Sequence, residues 1–409
     1  MAYPSLGKLF YKAPEQYEQY YQLRYHNEAA VHFDFSIRQA PAFLVMHLEL
    51  LQLTEEIRRL DKQLDWICRH LPRIAKQQYT TWAIIEEIKL SNEIEGIRSS
   101  KDDIRMLVEH RLPMRHEQRF LGFVQQYRML MNREAIDLSD CQAIRTLYDA
   151  LCLPDVLADD AQNAPDGLLF RREPVVILSE TQKEVHHGLY PEAAIVTAMT
   201  KALAILNDEQ LSVLLRIPVF HYLFAYIHPF YDGNGRMDRF ISSYFLAWNF
   251  NPLLGYHLSY SIKKELPVYY RLFKETNDPR NRGDLTPFVL GFLQLILHAS
   301  QDLHSSLLQR LEQLTGFREL LRQQIAEDQT FRVLHILLMN TLFGYRGLTI
   351  HELAQACGLG EEIAIRALRQ TEAGHSGLLL RERDGETVLF SLRLEALGKP
   401  AAAGFRQPN

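Results

Sequence analysis

His228-Pro229-Phe230-Tyr231-Asp232-Gly233-Asn234-Gly235-Arg236-Met237-Asp238-Arg239 compresses a candidate base, a carboxylate, two glycines flanking an amide, and two arginines into twelve positions. An apolar run, Val219 to Ile227, leads in, and another, Phe240 to Trp248, leads out. The layout predicts helix, tight loop, helix. Gly233 and Gly235 permit positive φ and let a ligand approach the backbone. The second helix then points free N–H groups and the positive end of its dipole into the loop, which makes an anion site. Arg236 and Arg239 stand three apart, a spacing that lets both face the same anion. Asp232 beside bound phosphates suggests a Mg²⁺ ligand, because Mg²⁺ pairs one or two carboxylates with phosphate oxygens. His228 ends the first helix, where it can accept a proton. The preceding helix is apolar nearly all round (Val219, Phe220, Leu223, Phe224, Ile227) and is therefore expected to be buried. His221 within it reads as a packed core histidine. Pro218 suits the first helical position.

This segment resembles the signature of the Fic family, His-x-Phe-x-Asp/Glu-Gly-Asn-Gly-Arg-x-x-Arg, and matches it at every fixed position. Met237 and Asp238 stand between the arginines, where small residues are common in the family. Asp238 would weaken ATP binding if it points inward. The resemblance, over about residues 85–300, implies a Fic-type helical core with a β-hairpin flap; with an N-terminal helical region and a C-terminal winged helix read from the flanking sequence, a mainly α fold is expected. The resemblance also implies transfer of AMP from ATP to a Ser, Thr or Tyr hydroxyl of a protein, with self-modification included. His228 would be the base. Gly233, Asn234, Gly235, Arg236 and Arg239 would hold the phosphates, with Mg²⁺ on Asp232.

Upstream, Ser91-Asn92-Glu93-Ile94-Glu95-Gly96 closes a helix expected from Ala75 to Leu90. Gly96 permits a sharp exit. A carboxylate at a helix C-terminus opposes the dipole, so Glu95 calls for a cation elsewhere. Ser91, Glu95 and Gly96 resemble the family's inhibitory helix, Ser/Thr-x-x-x-Glu-Gly/Asn. That resemblance implies that Glu95 pairs with Arg239 and obstructs the γ-phosphate position. A variant of this reading has Glu95 orient a water, so that the same site removes AMP. Downstream, the segment from Tyr269 to Phe288 resembles the part of Fic domains in which Tyr270 and Asn277 would contact the nucleoside. A tyrosine pair packing a helix interface is the plainer alternative. Phe170 to Ile177 and Ser179 to Gly188 predict a hairpin, which is either the family's flap, holding a target by strand addition, or a simple connection.

The remaining chain sets the context. With 409 residues, two or three domains are expected. The proposed division is 1–80 (N-terminal helical region), 81–300 (Fic core, inhibitory helix near 76–96), 301–329 (connecting helix), 330–397 (winged helix) and 398–409 (flexible tail). Residues 1–40 carry six tyrosines and weak periodicity, and read as an irregular arm. A helix is expected from Ala42 to Leu71, stopped by Pro72. One or two helices are expected from Lys101 to Met131, interrupted at Pro113, and one from Cys141 to Leu153. Leu157 to Gly167 reads as a surface loop, and helices are expected at Glu192–Leu206 and Asp208–Arg216. After a helix from Thr286 to Ala326, helices over 334–342, 348–357 and 361–370 and a hairpin around Asp384-Gly385 resemble a winged helix.

Between Leu348 and Glu395 stand eight acidic and five basic residues. Duplex binding needs several phosphate-facing cations, so an interaction or scaffold role is favoured over DNA binding. A winged-helix regulator with a degenerate Fic core is the competing reading. Net charge of −5 gives no drive toward nucleic acid or anionic membrane. Phe240 to Tyr256 contains Ser242, Ser243, Asn249, Asn251 and Pro252, and reads as a core helix rather than a membrane span. The four scattered cysteines and the absence of a basic-then-apolar leader in Met1 to Phe10 lead to an expected cytoplasmic location with reduced thiols. A homodimer is left open.

Overall fold

A computed structural model describes residues 3–109, 119–178, 184–385 and 387–400. In chain order the elements are α1 (Leu6–Lys12), α2 (Tyr17–Tyr25), β1 (Ala30–Ile37), β2 (Ala40–Val45), α3 (Leu48–His70), α4 (Arg73–Ile94), α5 (Lys101–Val108), α6 (Leu121–Met131), α7 (Cys141–Leu151) and α8 (Leu153–Asp159). Then follow β3 (Val176–Leu178), β4 (Glu184–His187), α9 (Glu192–Leu206), α10 (Val213–Ile227), α11 (Asn234–Asn249), α12 (Pro252–Gly255), α13 (Leu258–Lys264) and α14 (Leu266–Asn277). The last are α15 (Thr286–Gln324), α16 (Asp328–Phe343), α17 (Ile350–Cys357), α18 (Glu361–Gly374), β5 (Leu379–Asp384) and β6 (Thr387–Leu392). The three strand pairs are antiparallel hairpins, so the fold is mainly α. Among the described residues no helix is long and apolar enough to cross a membrane. Cys68, Cys141, Cys152 and Cys357 are buried free thiols.

Contacts divide the chain into two units, one from the described residues of 1–58 and 85–300, the other from those of 59–84 and 301–409. In the first unit, α10 packs against α9 and α11. Leu214, Ile217, Phe220, Leu223, Phe224 and Ile227 are all buried, as an all-apolar helix requires. Pro218 lies inside α10 rather than at its start. Asp208 holds a turn of its own, its Oδ1 accepting from Gln210 N–H at 3.0 Å. Asp competes for backbone donors in this way, so the helix expected at Asp208–Arg216 starts only at Val213.

The N-terminal segment differs most from expectation. It is no irregular arm: α1 and α2 precede the β1–β2 hairpin, whose register pairs Ile37 with Ala40. The two-residue loop is Arg38-Gln39, with Arg38 at φ 57. Such loops usually announce themselves with Asn or Gly, and this one contains neither. The tyrosines are its core: Tyr21 and Tyr25 pack edge-on against Phe43. Buried Asp284 anchors the segment, accepting from Tyr3 OH and Arg24 Nη1 at 3.0 Å each. The helix expected from Ala42 accordingly begins at Leu48.

Smaller differences follow local chemistry. α4 runs to Ile94, so Ser91 and Asn92 extend it past the end expected at Leu90. Gly96 turns the chain out at φ 74. Pro154 sits in the first turn of a new helix, so the helix expected through Leu153 divides at Cys152 and the following loop starts after Asp159. The expected break at Pro113, the hairpin turn at 179–183 and the tail from 401 lie outside the described residues.

In the second unit, α16, α17 and α18 precede the β5–β6 hairpin, and Leu348 bridges Phe390. Thr349 and Glu352 form a reciprocal capping box on α17, a pattern that satisfies two orphan donors.

Candidate active site

α10 ends at His228, which takes a left-handed backbone conformation at φ 52. Its N–H donates to Phe224 O, and its own carbonyl accepts from Arg171 Nε at 2.9 Å. The following loop is built on Phe230, stacked on Tyr148 with ring centroids 3.6 Å apart. Asn234 closes that loop with its side chain: Oδ1 accepts from Phe230 N–H at 3.0 Å, and Nδ2 donates to Phe230 O at 2.8 Å. Gly233 stands at φ 80, and a Cβ there would lie 3.1 Å from Cys152 Cβ. α11 therefore begins with its unpaired N–H groups at the mouth of a tight, glycine-lined turn, where negative charge is favoured.

A carboxylate of the chain already sits there. A Cβ on Gly235 would meet Glu95 Oε1 at 2.2 Å. Arg239 Nη1 donates to the same oxygen at 2.8 Å, and its Nε and Nη2 donate to Ser91 Oγ (3.0 Å) and Ser91 O (2.9 Å). Arg236, one turn earlier, is held elsewhere: fully buried, it donates from Nη1 to Asp155 Oδ2 at 3.0 Å. Asp155 Oδ1 accepts from Phe120 N–H at 2.8 Å. The two arginines thus have separate acids. Removing one partner of a buried ion pair strands the other charge, at a cost of about 3–5 kcal/mol. Asp155→Ala is expected to lower unfolding stability by that order, measured by denaturant titration, and Asp155→Asn by less.

Beside the turn lies a cavity of about 580 Å³. Glu95, Asn234, Gly235, Asp238 and Arg239 line one side. Tyr269, Tyr270, Phe273 and Asn277 line another, with Ile177 and His186 from the β3–β4 hairpin, and His228 also faces it. Asp232, Gly233 and Arg236 are not among its lining. Tyr270 is half-exposed and donates to Ile94 O at 3.3 Å. Asn277 Oδ1 accepts from Tyr222 OH at 2.7 Å. Burial, then the positive charge of Arg171 and then His186, push His228 down to about 3, so the ring is neutral at any ordinary pH. His221 is a core histidine, its ring nitrogens 2.9 Å from Ser242 Oγ and 2.8 Å from Tyr269 OH. Asp238 lies 3.2 Å from it. Burial pushes the Asp238 carboxyl well up, which favours its uncharged form beside the anion site.

Glu87 on α4 is a further buried acid. Ser259 donates to it from N (2.9 Å) and Oγ (2.6 Å), and Ser243 from Oγ (3.2 Å). Burial outweighs these bonds and pushes its carboxyl up from 4.5 to about 7. A raised carboxyl favours the folded state fully below the ordinary value and loses that contribution as pH climbs through the folded value. Glu87→Gln keeps the acceptor for Ser259 N–H and donates to the two hydroxyls. Wild type is expected to lose roughly 3 kcal/mol relative to Glu87→Gln between pH 4.5 and 7, read from unfolding midpoints against pH.

Three of these groups carried no signal in the sequence: Asp155, Arg171 and Glu87. As for a metal, no group of three or more His, Cys, Asp or Glu that could hold one occurs among the described residues. Asp232 is a single carboxylate, with Oδ1 accepting from Gly233 N–H. One carboxylate suits a Mg²⁺ held largely by phosphate oxygens and does not suit an all-protein metal cage.

Residues 140–246, from the start of α7 nearly to the end of α11, match the family model described as Fic/DOC family. That segment belongs to the Fic/DOC family. Over 108 residues it is 33% identical to "Protein adenylyltransferase Fic" of Drosophila erecta, covering 24% of this chain and 20% of that one. The chain therefore spans about a fifth of the length of the curated relative it matches. A crystal structure of a Fic family protein from Desulfovibrio desulfuricans G20 aligns over 87% of this chain and 98% of its own, at 21% identity and TM-score 0.52. That likeness shows the fold. Fic-1 from C. elegans aligns at 19% identity and TM-score 0.44 over 63% of this chain and 73% of its own.

Proposed function

We propose that this protein transfers AMP from ATP to a Ser, Thr or Tyr hydroxyl of a protein, itself included, and that Glu95 restrains it. The observation that carries the reading is the seat of the Glu95 carboxylate. It lies against Gly235 at the head of α11 and on Arg239, in the cavity that also holds His228. An anion fits that place, and the terminal phosphate of ATP is the competing anion.

On this reading the α11 N–H groups and Arg239 hold the phosphates, and Tyr270 and Asn277 flank the nucleoside. Neutral His228 takes the proton of the target hydroxyl. The hydroxyl oxygen bonds to the α-phosphorus, the bond to the β-phosphate oxygen breaks, and pyrophosphate leaves. Positioning and charge stabilisation supply most of such catalysis. Magnesium, when bound at Asp232, would neutralise phosphate charge. The β3–β4 hairpin beside the cavity supports a target presented as an extended segment.

The test incubates the protein, with and without a lysate, in ATP labelled on either the α- or the γ-phosphate. Protein-bound label from the α-phosphate alone supports AMP transfer. Label from the γ-phosphate, or none from Glu95→Gly protein, overturns it.

A further inference from the structure

Arg171 is completely buried, yet makes no ion pair among the described residues. Buried guanidiniums ordinarily have a carboxylate. This one has three backbone carbonyls instead: Nε donates to His228 O at 2.9 Å, Nη1 to Glu173 O at 2.6 Å, and Nη2 to Leu189 O at 2.7 Å. Glu173 precedes β3 and Leu189 follows β4, so two of the bonds grip both feet of the hairpin. The third grips the residue that ends α10. The backbone of Arg171 adds a fourth tie, its N–H donating to Pro229 O at 3.2 Å. Space for the guanidinium depends on Gly188, where a Cβ would lie 2.4 Å from Arg171 Nη2 and 3.1 Å from His228 Cβ.

We propose that Arg171 is the positioning residue of the site: a single buried guanidinium that holds His228 in its left-handed conformation and fastens it to both feet of the hairpin. The inference rests on the AMP-transfer reading above and deepens it. His228 is not in a backbone state that its neighbours enforce by chain geometry alone, since left-handed φ is unfavourable for a β-substituted residue. The carbonyl bond pins it. Arg171 also places a fixed positive charge near the imidazole. The other ionisable groups lining the cavity with the ring are His186 on β4, Tyr226 on α10, Glu95, Asp238 and Arg239, and Tyr269 and Tyr270 on α14. Burial is the first cause of the ring's low proton affinity, and Arg171 is the next.

Glu95→Gly protein is the background for the test, compared with the same protein carrying Arg171→Met, Arg171→Lys or Gly188→Ala. A displacement of the base by about 1 Å costs on the order of 100-fold in turnover, so kcat is expected to fall about that far in Arg171→Met and in Gly188→Ala. MgATP affinity, measured by calorimetry, is expected to stay within about threefold. The His228 ring titration, followed by NMR, moves to higher pH in Arg171→Met, because removing the cation lets the ring protonate more readily. It stays in place in Gly188→Ala and Arg171→Lys, which keep the charge.

A kcat within threefold of the background in Gly188→Ala and Arg171→Met overturns the proposal, as does a His228 ring titration that Arg171→Met leaves unmoved. If Arg171→Met does not fold, kcat of Gly188→Ala decides. If the background transfers no AMP, the functional reading fails, and the His228 ring titration by NMR, which needs no turnover, still decides whether Arg171 acts on the ring.

Discussion

Glu95→Gly is expected to raise AMP transfer by about 10- to 100-fold at subsaturating ATP, within the usual range for coupling between competing ligands. Three contacts argue for it. Glu95 Oε1 bonds Arg239, covers Gly235, and lies in the cavity that a nucleotide would enter. Removing the side chain frees one guanidinium arm while Ser91 still holds the other two nitrogens, so Arg239 stays aimed at the same place. Some stability should be lost, because the Arg239 side chain is only 1% exposed and is left without its carboxylate, but less than in Asp155→Ala, since Glu95 is 36% exposed. The gain should appear as a lower KM for ATP, with Glu95→Gln intermediate. Rates that stay level or fall would show that the carboxylate does not hold the enzyme back.

Replacing His228 is expected to cost about 10²- to 10⁴-fold in turnover, with ATP still bound. The choice of substitute matters. At φ 52 an alanine bears the left-handed penalty of about 1–2 kcal/mol, whereas asparagine visits that region readily. His228→Asn therefore separates chemistry from folding: its unfolding midpoint should match wild type while label transfer disappears. The wild-type ring, neutral down to about 3, keeps its proton-accepting form as pH falls, so loss of activity between pH 7 and 5 would have to come from another group. Retained transfer in His228→Asn would remove the histidine from its role.

How much of this could be read from the chain depends on how local the encoding is. The turn and the two helices around His228 are contiguous, and each residue type signals its own geometry. The long helix α3 carries its apolar period in plain sight. The β1–β2 hairpin does not, because its loop residues, Arg38 and Gln39, are unremarkable turn formers. Among site residues, Asp155 meets Arg236 across 81 positions, Arg171 meets His228 across 57, and Glu87 meets Ser259 across 172. No periodicity links such pairs. Local spacing also misdirects: Arg236 and Arg239 are three apart, yet different acids draw them to different places. The Asn234 amide, beside the proposed phosphate site in sequence, bonds its own loop.

The seat of Glu95 has a consequence for control. On the proposed reading it is a competitor tethered at the end of a 22-residue helix, with an effective concentration set by geometry. Dilution cannot release it, and neither can raising the amount of protein. Only more nucleotide, or a force that shifts the last turn of α4, changes the balance. A cell could therefore keep the protein abundant and quiet, and switch it on by pulling on a single helix.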